Sequence, residues 1–196
     1  MPLQKRNIAV LISGSGSNLQ ALIDACSDES FPGKICLVIS NKKDAYGLDR
    51  ARKADIPTYV INHKDYDSRD AFDSALHQAL KDANIEFVCL AGFMRLLTAD
   101  FVNKWQNRMI NIHPSLLPAF KGANAQRDAL KAGVKISGCT VHFVVPEMDA
   151  GPIIIQETAP VLVDDTVETL AERILQKEHL AYPKALRMVL ENTANQ

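Results

Sequence analysis

Asn111 and His113 stand two residues apart in NIHPSLLPAF (111–120), at the end of an apolar run that Pro114 stops. A histidine, with an ordinary pKa of about 6.5, takes or gives a proton near neutral pH. An asparagine amide N–H donates to a developing oxyanion without proton chemistry of its own. Together the two types suit attack of an amine on a carbonyl carbon. The pair lacks a group to orient and charge-balance the imidazole. Asp149, in the Gly/Pro-bounded segment MDAGP (148–152), could supply it, as carboxylates do at other acyl-transfer sites. On residue types alone, a satisfied structural Asn and His is the commoner arrangement. Ser115 lies beside His113, but no GxSxG elbow accompanies it, so no serine nucleophile is indicated. His113, His142 and a carboxylate show no HxxxH or HxH spacing, so no metal site is expected, and His142 in TVHFVV reads as packing within a strand.

A second cluster is GSGSN (14–18), between an apolar run and a helical pattern. Small residues let backbone approach a ligand, and a helix start offers unpaired N–H groups at the positive end of its dipole. That combination suits an anion, most often phosphate, though the same residues could form only a tight turn. No Gly-Lys-Ser/Thr follows, so it is not a P-loop, and Leu19 stands where a dinucleotide fingerprint needs its third glycine. No acidic residue in ICLVISNK is placed to hold a cofactor ribose, which disfavours a bound dinucleotide.

Both clusters need a scaffold that brings strand ends together. Apolar runs at 8–13, 35–40, 58–62, 87–93 and 108–113 alternate with amphipathic stretches at 18–26 and 68–83 and a polar turn with helix after residue 40. Asn18 is the expected N-cap of the first helix. This βαβα repetition predicts a Rossmann-like, mostly parallel sheet with helices on both faces. In a strand, residues i and i+2 share a face, so Asn111 and His113 project together, at the strand end where open α/β sheets bind ligands. Runs 136–145 and 152–162 are close enough to pair antiparallel, as an edge hairpin or a strand returning over the site. From Thr166 to about Leu190 the pattern is helical, with Pro183 as an expected kink or break. We expect one domain over 1–196, with 1–110 as its nucleotide- and phosphate-binding half and 111–196 as its catalytic half.

Composition narrows the partners. A net charge of -1 offers no basic excess for a phosphate backbone, so nucleic acid is not an expected partner. No apolar run approaches the roughly 20 residues that span a bilayer, and the N-terminus does not read as a signal peptide, so a cytoplasmic protein is expected. The four cysteines are scattered, with no CxxC pair, and read as small buried apolar residues.

The motif NIHPSLLPAFKG, with LAGFMRLL before it and GCTVHFVVPEMDAGPIIIQ after it, resembles the folate-dependent formyltransferases. The likeness runs over nearly the whole chain. LISGSGSNLQALIDA and the EHxxYP segment from Glu178 to Pro183 are similar to the purine-biosynthetic branch of that family. The resemblance implies 10-formyltetrahydrofolate as donor co-substrate, no tightly bound cofactor, no metal, and the amine of glycinamide ribonucleotide as acceptor. It implies Asn111, His113 and Asp149 as the catalytic trio, Gly16, Ser17 and Asn18 as the phosphate turn, and Glu178 as the carboxylate on the ribose hydroxyls. Met94, Arg95, Leu97 and Val102 match the wall of the folate pocket, and Val144, Val145 and Met148 its pterin-side loop. Arg69 matches a residue at the pocket mouth, or is simply a solvated helix charge. The chain departs from relatives at Gln126, where a His is common, and at Leu175, where a Lys or Gln reaches the phosphate. The expected assembly is a monomer or homodimer. A formyltetrahydrofolate hydrolase is the nearest rival; a methionyl-tRNA formyltransferase and a non-catalytic folate- or nucleotide-binding module are disfavoured.

Overall fold

The computed structural model describes residues 5–194. Its strands are β1 (Arg6–Ile12), β2 (Gly33–Ser40), β3 (Thr58–Val60), β4 (Phe87–Leu90), β5 (Met109–His113), β6 (Ile136–Phe143) and β7 (Ile153–Pro160). Its α-helices are α1 (Ser17–Cys26), α2 (Gly47–Lys53), α3 (Arg69–Asp82), α4 (Ala99–Lys104), α5 (Ala125–Lys131) and α6 (Val167–Ala194). The strands form one seven-stranded sheet in the order β3-β2-β1-β4-β5-β6-β7. Pairing is parallel from β3 through β5 and antiparallel at β5–β6 and β6–β7.

The sheet is covered on both faces because β1 is apolar on both faces. Ile8, Val10 and Ile12 pack with Leu19 and Leu22 of α1 and with Tyr182 and Leu186 of α6. Ala9 and Leu11 point the other way, among Phe72 and Leu76 of α3 and Phe101 of α4. This is the two-residue alternation of a strand met by helices on either side. In α3, Phe72, Leu76 and Leu80 recur every four residues and are buried, and Ser68 caps the helix by accepting from the Ala71 N–H at 3.1 Å.

Several sequence expectations need correction. The run 87–93 is strand only to Leu90; Gly92 takes φ 71° and turns the chain out of the sheet. The third strand is only three residues long. Asn18 does not cap α1: the capping position is Gly16, in the left-handed region at φ 70°, with no side-chain cap. Helix α6 runs unbroken through Pro183. The sequence gives no clear signal for the short helices α4 and α5, because six or seven residues show too little period to be read. Cys89 and Cys139 are buried as expected, but Cys26 and Cys36 are half-exposed.

Candidate active site

The Asn-His pair is placed by the sheet. Strand β5 runs parallel to β4, and β4 to β1, so the C-terminal ends of all three lie on one edge. Asn111 and His113 leave β5 there and line a cavity of about 520 Å³. The segment after them is held firmly. Ser115 Oγ donates to the Ala119 carbonyl at 2.5 Å, and Thr140 Oγ1 donates to the Ser115 carbonyl at 2.7 Å and accepts from the Leu117 N–H at 3.0 Å. Gln156 of β7 adds a bond from its amide to the Leu117 carbonyl at 3.0 Å.

Asp149 comes from the loop between β6 and β7, with φ 50°. The loop folds close because Gly151 has no side chain: a Cβ there would stand 1.7 Å from the Phe143 carbonyl oxygen. Asp149 Oδ2 lies 3.5 Å from His113 Nδ1 and accepts from the Gly122 N–H at 2.8 Å. His113 Nε2 sits 2.9 Å from the Phe120 carbonyl. A carbonyl can only accept, so Nε2 carries a proton there. The imidazole is thus spanned by one backbone carbonyl and one carboxylate, both acceptors.

Asn111 has a partner that the sequence did not reveal. His142 lies directly across the β5–β6 ladder from it, with its Nε2 3.3 Å from Asn111 Nδ2 and 3.8 Å from Asp149 Oδ1. His142 lines the cavity rather than packing only within its strand. Burial pushes its imidazole below the ordinary value, outweighing the Phe143 carbonyl and Asp149, which push it up; the neighbouring His113 also lowers it.

The rest of the cavity lining is mostly apolar, Arg95 and Glu147 excepted. Met94, Arg95, Leu97 and Val102 belong to it, with Val144, Val145 and Met148 closing the side. The wall segment is pinned at both ends: Ser13 Oγ accepts from the Met94 N–H at 2.8 Å, and Asp73 Oδ2 accepts from the Thr98 N–H at 2.6 Å. Met94 is 68% exposed, Leu96 58% and Met148 49%, an apolar rim of the kind that marks a ligand site. Arg69 opens α3, is exposed, and does not line this cavity.

The glycine turn forms a separate cluster at the same sheet edge. Gly16 lies against α2 so closely that a Cβ would sit 2.5 Å from the Gly47 Cα. The turn and the first residues of α1, Ser17 and Asn18, therefore have no room for a larger residue at 16. Asn18 Nδ2 donates to Glu178 Oε2 at 2.6 Å, joining the turn to α6 across 160 residues. Glu178 is buried, and that burial raises its carboxyl to about 7 despite the Asn18 bond, which lowers it. Four residues on, the buried Tyr182 hydroxyl donates to the Leu90 carbonyl at 2.8 Å and the Ile110 carbonyl at 3.2 Å, fixing α6 under the ends of β4 and β5. Gly16, Ser17, Asn18 and Glu178 are brought together, but none lines the large cavity. Among the described residues, no group of three or more His, Cys, Asp or Glu is placed to hold a metal ion.

The Formyl transferase family profile matches residues 6–186. Phosphoribosylglycinamide formyltransferase of Escherichia coli is 46% identical over 90% of this chain and 84% of its own length. The glycinamide ribonucleotide transformylase 1 structure from Symbiobacterium toebii superposes with a TM-score of 0.94 at 51% identity, covering 96% of this chain and 89% of that one. The trifunctional purine biosynthetic protein adenosine-3 of Homo sapiens is 55% identical over 97% of this chain but only 19% of its own length. The chain thus spans less than a fifth of that relative and of its bovine counterpart, where the share is 18%. A profile match over most of the chain and a high-identity relative of similar length agree, and the chain belongs to the formyl transferase family.

Proposed function

We propose that this chain transfers the formyl group of 10-formyltetrahydrofolate to the amine of glycinamide ribonucleotide, giving formylglycinamide ribonucleotide and tetrahydrofolate on the de novo route to IMP. The observation that carries the reading is the meeting of Asn111, His113 and Asp149 on one wall of a cavity whose remaining lining is mostly apolar. The donor's flat pterin lies against Leu97, Val102, Val144 and Val145, where each 100 Å² of apolar surface covered contributes roughly 2.5 kcal/mol. The ribonucleotide's phosphate takes the N–H groups at Gly16, Ser17 and Asn18, and its ribose hydroxyls meet Glu178. These are small-molecule sites, and the reaction belongs in the cytoplasm, carried out by a monomer or homodimer.

The chemistry then follows from the groups in reach. The amine nitrogen attacks the formyl carbon, and the carbonyl electron pair moves onto oxygen. Asn111 Nδ2 donates to that oxyanion. Protonated His113, balanced by Asp149, donates from Nε2 once the substrate oxygen replaces the Phe120 carbonyl. Collapse of the intermediate breaks the bond from carbon to the folate nitrogen, and the proton lost by the amine ends on that nitrogen. The donor is already activated, so the balance closes without nucleotide hydrolysis. Holding both substrates in one geometry supplies a large part of the rate.

The test is product identification. Wild-type protein with both substrates should yield a ribonucleotide heavier by one formyl group, seen by mass spectrometry. Formate as the sole one-carbon product would assign the hydrolase reaction instead.

A further inference from the structure

We infer that His142 is a positioning residue that sets which way the Asn111 amide faces, and so whether an N–H is aimed at the formyl oxygen. The inference rests on the proposed role of Asn111 as oxyanion donor. It adds a residue that acts only through Asn111.

The argument is one of donors and acceptors. His142 Nδ1 lies 2.8 Å from the Phe143 carbonyl oxygen. That oxygen can only accept, so Nδ1 bears the ring proton. In the neutral ring Nε2 is then a bare acceptor. Burial favours that neutral ring: His142 is 2% exposed. Asn111 presents to Nε2, at 3.3 Å, either its amide nitrogen or its oxygen. Nitrogen against a bare acceptor makes a bond, whereas oxygen against it would set two acceptors face to face. The tautomer of His142 therefore fixes Nδ2 toward the imidazole and leaves the second Nδ2 proton for the cavity that Asn111 lines. A backbone carbonyl thus specifies the oxyanion donor through one imidazole.

The surrounding groups say what happens when the ring gains a proton. The charged groups facing His142 are Asp149, whose Oδ1 is 3.8 Å from Nε2, and His113, on β5. A protonated Nε2 becomes a donor, turns toward Asp149 and repels the Asn111 amide nitrogen. The amide then reverses, and its oxygen, not its N–H, meets the substrate. Nothing in this sequence alters substrate binding, so the loss falls on turnover.

The experiment compares His142→Phe, which keeps a ring of similar size without an acceptor, with His142→Gln, whose side-chain oxygen reaches the position of Nε2. We expect His142→Phe to lower kcat about tenfold to a hundredfold, less than the roughly hundredfold to thousandfold of removing an oxyanion donor outright, with both KM values changed less than about twofold. His142→Gln should recover most of that loss. In an Asn111→Ala background, His142→Phe should have no further effect. Wild-type kcat in His142→Phe overturns the proposal. So does an equal loss in the Phe and Gln variants, or a loss in the Asn111→Ala background as large as in wild type; each outcome would make His142 a packing residue. Should His142→Phe not fold, judged by circular dichroism, His142→Leu makes the same comparison with less bulk. If the wild-type protein itself forms no formylated ribonucleotide, it is the proposed function that fails, and the Asn111–His142 geometry is then read without an oxyanion.

Discussion

The two clusters at the sheet edge are built in opposite ways. The cavity that holds Asn111, His113 and Asp149 is open and rimmed with exposed apolar side chains, and its polar groups stand on strand ends and loops. The turn at Gly16 with Glu178 is closed and made largely of backbone, and its one acid is buried in the fold. The first can admit a large flat molecule and do proton chemistry on it. Under the proposed function the second holds something small, the phosphate and ribose of the ribonucleotide, in one place. A site that joins two substrates needs both kinds of surface, and the shared strand ends of β1, β4 and β5 put them side by side.

That contrast predicts turnover defects from the proton-handling groups and binding defects from the surfaces that hold each substrate. His113→Ala should lower kcat by about a hundredfold or more, with the fold intact and the ribonucleotide KM nearly unchanged; activity near wild type in steady-state assays would remove His113 from the chemistry.

The next effect is on stability and belongs to the closed side. In the unfolded chain the Glu178 carboxyl ionises near its ordinary 4.5, and in the fold at about 7. Below both values it is neutral in either state and burial carries no charge cost. As pH rises from 4.5 to 7 the unfolded chain releases a proton that the fold retains, so stability falls, and above 7 the full cost, on the order of 3 kcal/mol, remains. Glu178→Gln should therefore be more stable than wild type at pH 8 and close to it at pH 5, by urea denaturation. The same difference at both pH values would show that charge burial is not the cause.

Removing the Glu178 carboxyl altogether tests binding. Glu178→Ala should raise the ribonucleotide KM roughly tenfold, the loss of one or two hydrogen bonds to hydroxyls, and leave the folate KM within twofold; a larger change for folate would reassign the residue. The smallest change is expected on the apolar wall. Leu97→Ala should raise the folate KM by about threefold to tenfold, from the area lost, without moving the ribonucleotide KM, and isothermal titration with each substrate would separate the two.

Much of this division could be read from the chain. The parallel sheet, the pair at the end of β5 and the glycine turn each carry a local signal: an apolar run, a two-residue spacing, a cluster of small residues before a helical pattern. What escaped reading depends on partners far away in sequence. His142 sits in an alternating strand whose face is known only from its register opposite Asn111. Asn18 has the residue type and position of a helix cap, yet its amide goes to Glu178, and the cap falls to Gly16. The run at 87–93 looks uniformly apolar, and only the left-handed turn at Gly92 makes its second part a cavity wall instead of a strand. Nothing in the structure explains Leu175 and Gln126, where the resemblance implies other residues.

The most direct test of the central claim, that one edge joins two substrates, is release of tetrahydrofolate from 10-formyltetrahydrofolate, followed by folate absorbance with and without glycinamide ribonucleotide. The account predicts release only when the ribonucleotide is present. Equal release without it would mean that water is the acceptor, and that the Gly16 turn and Glu178 serve no second substrate.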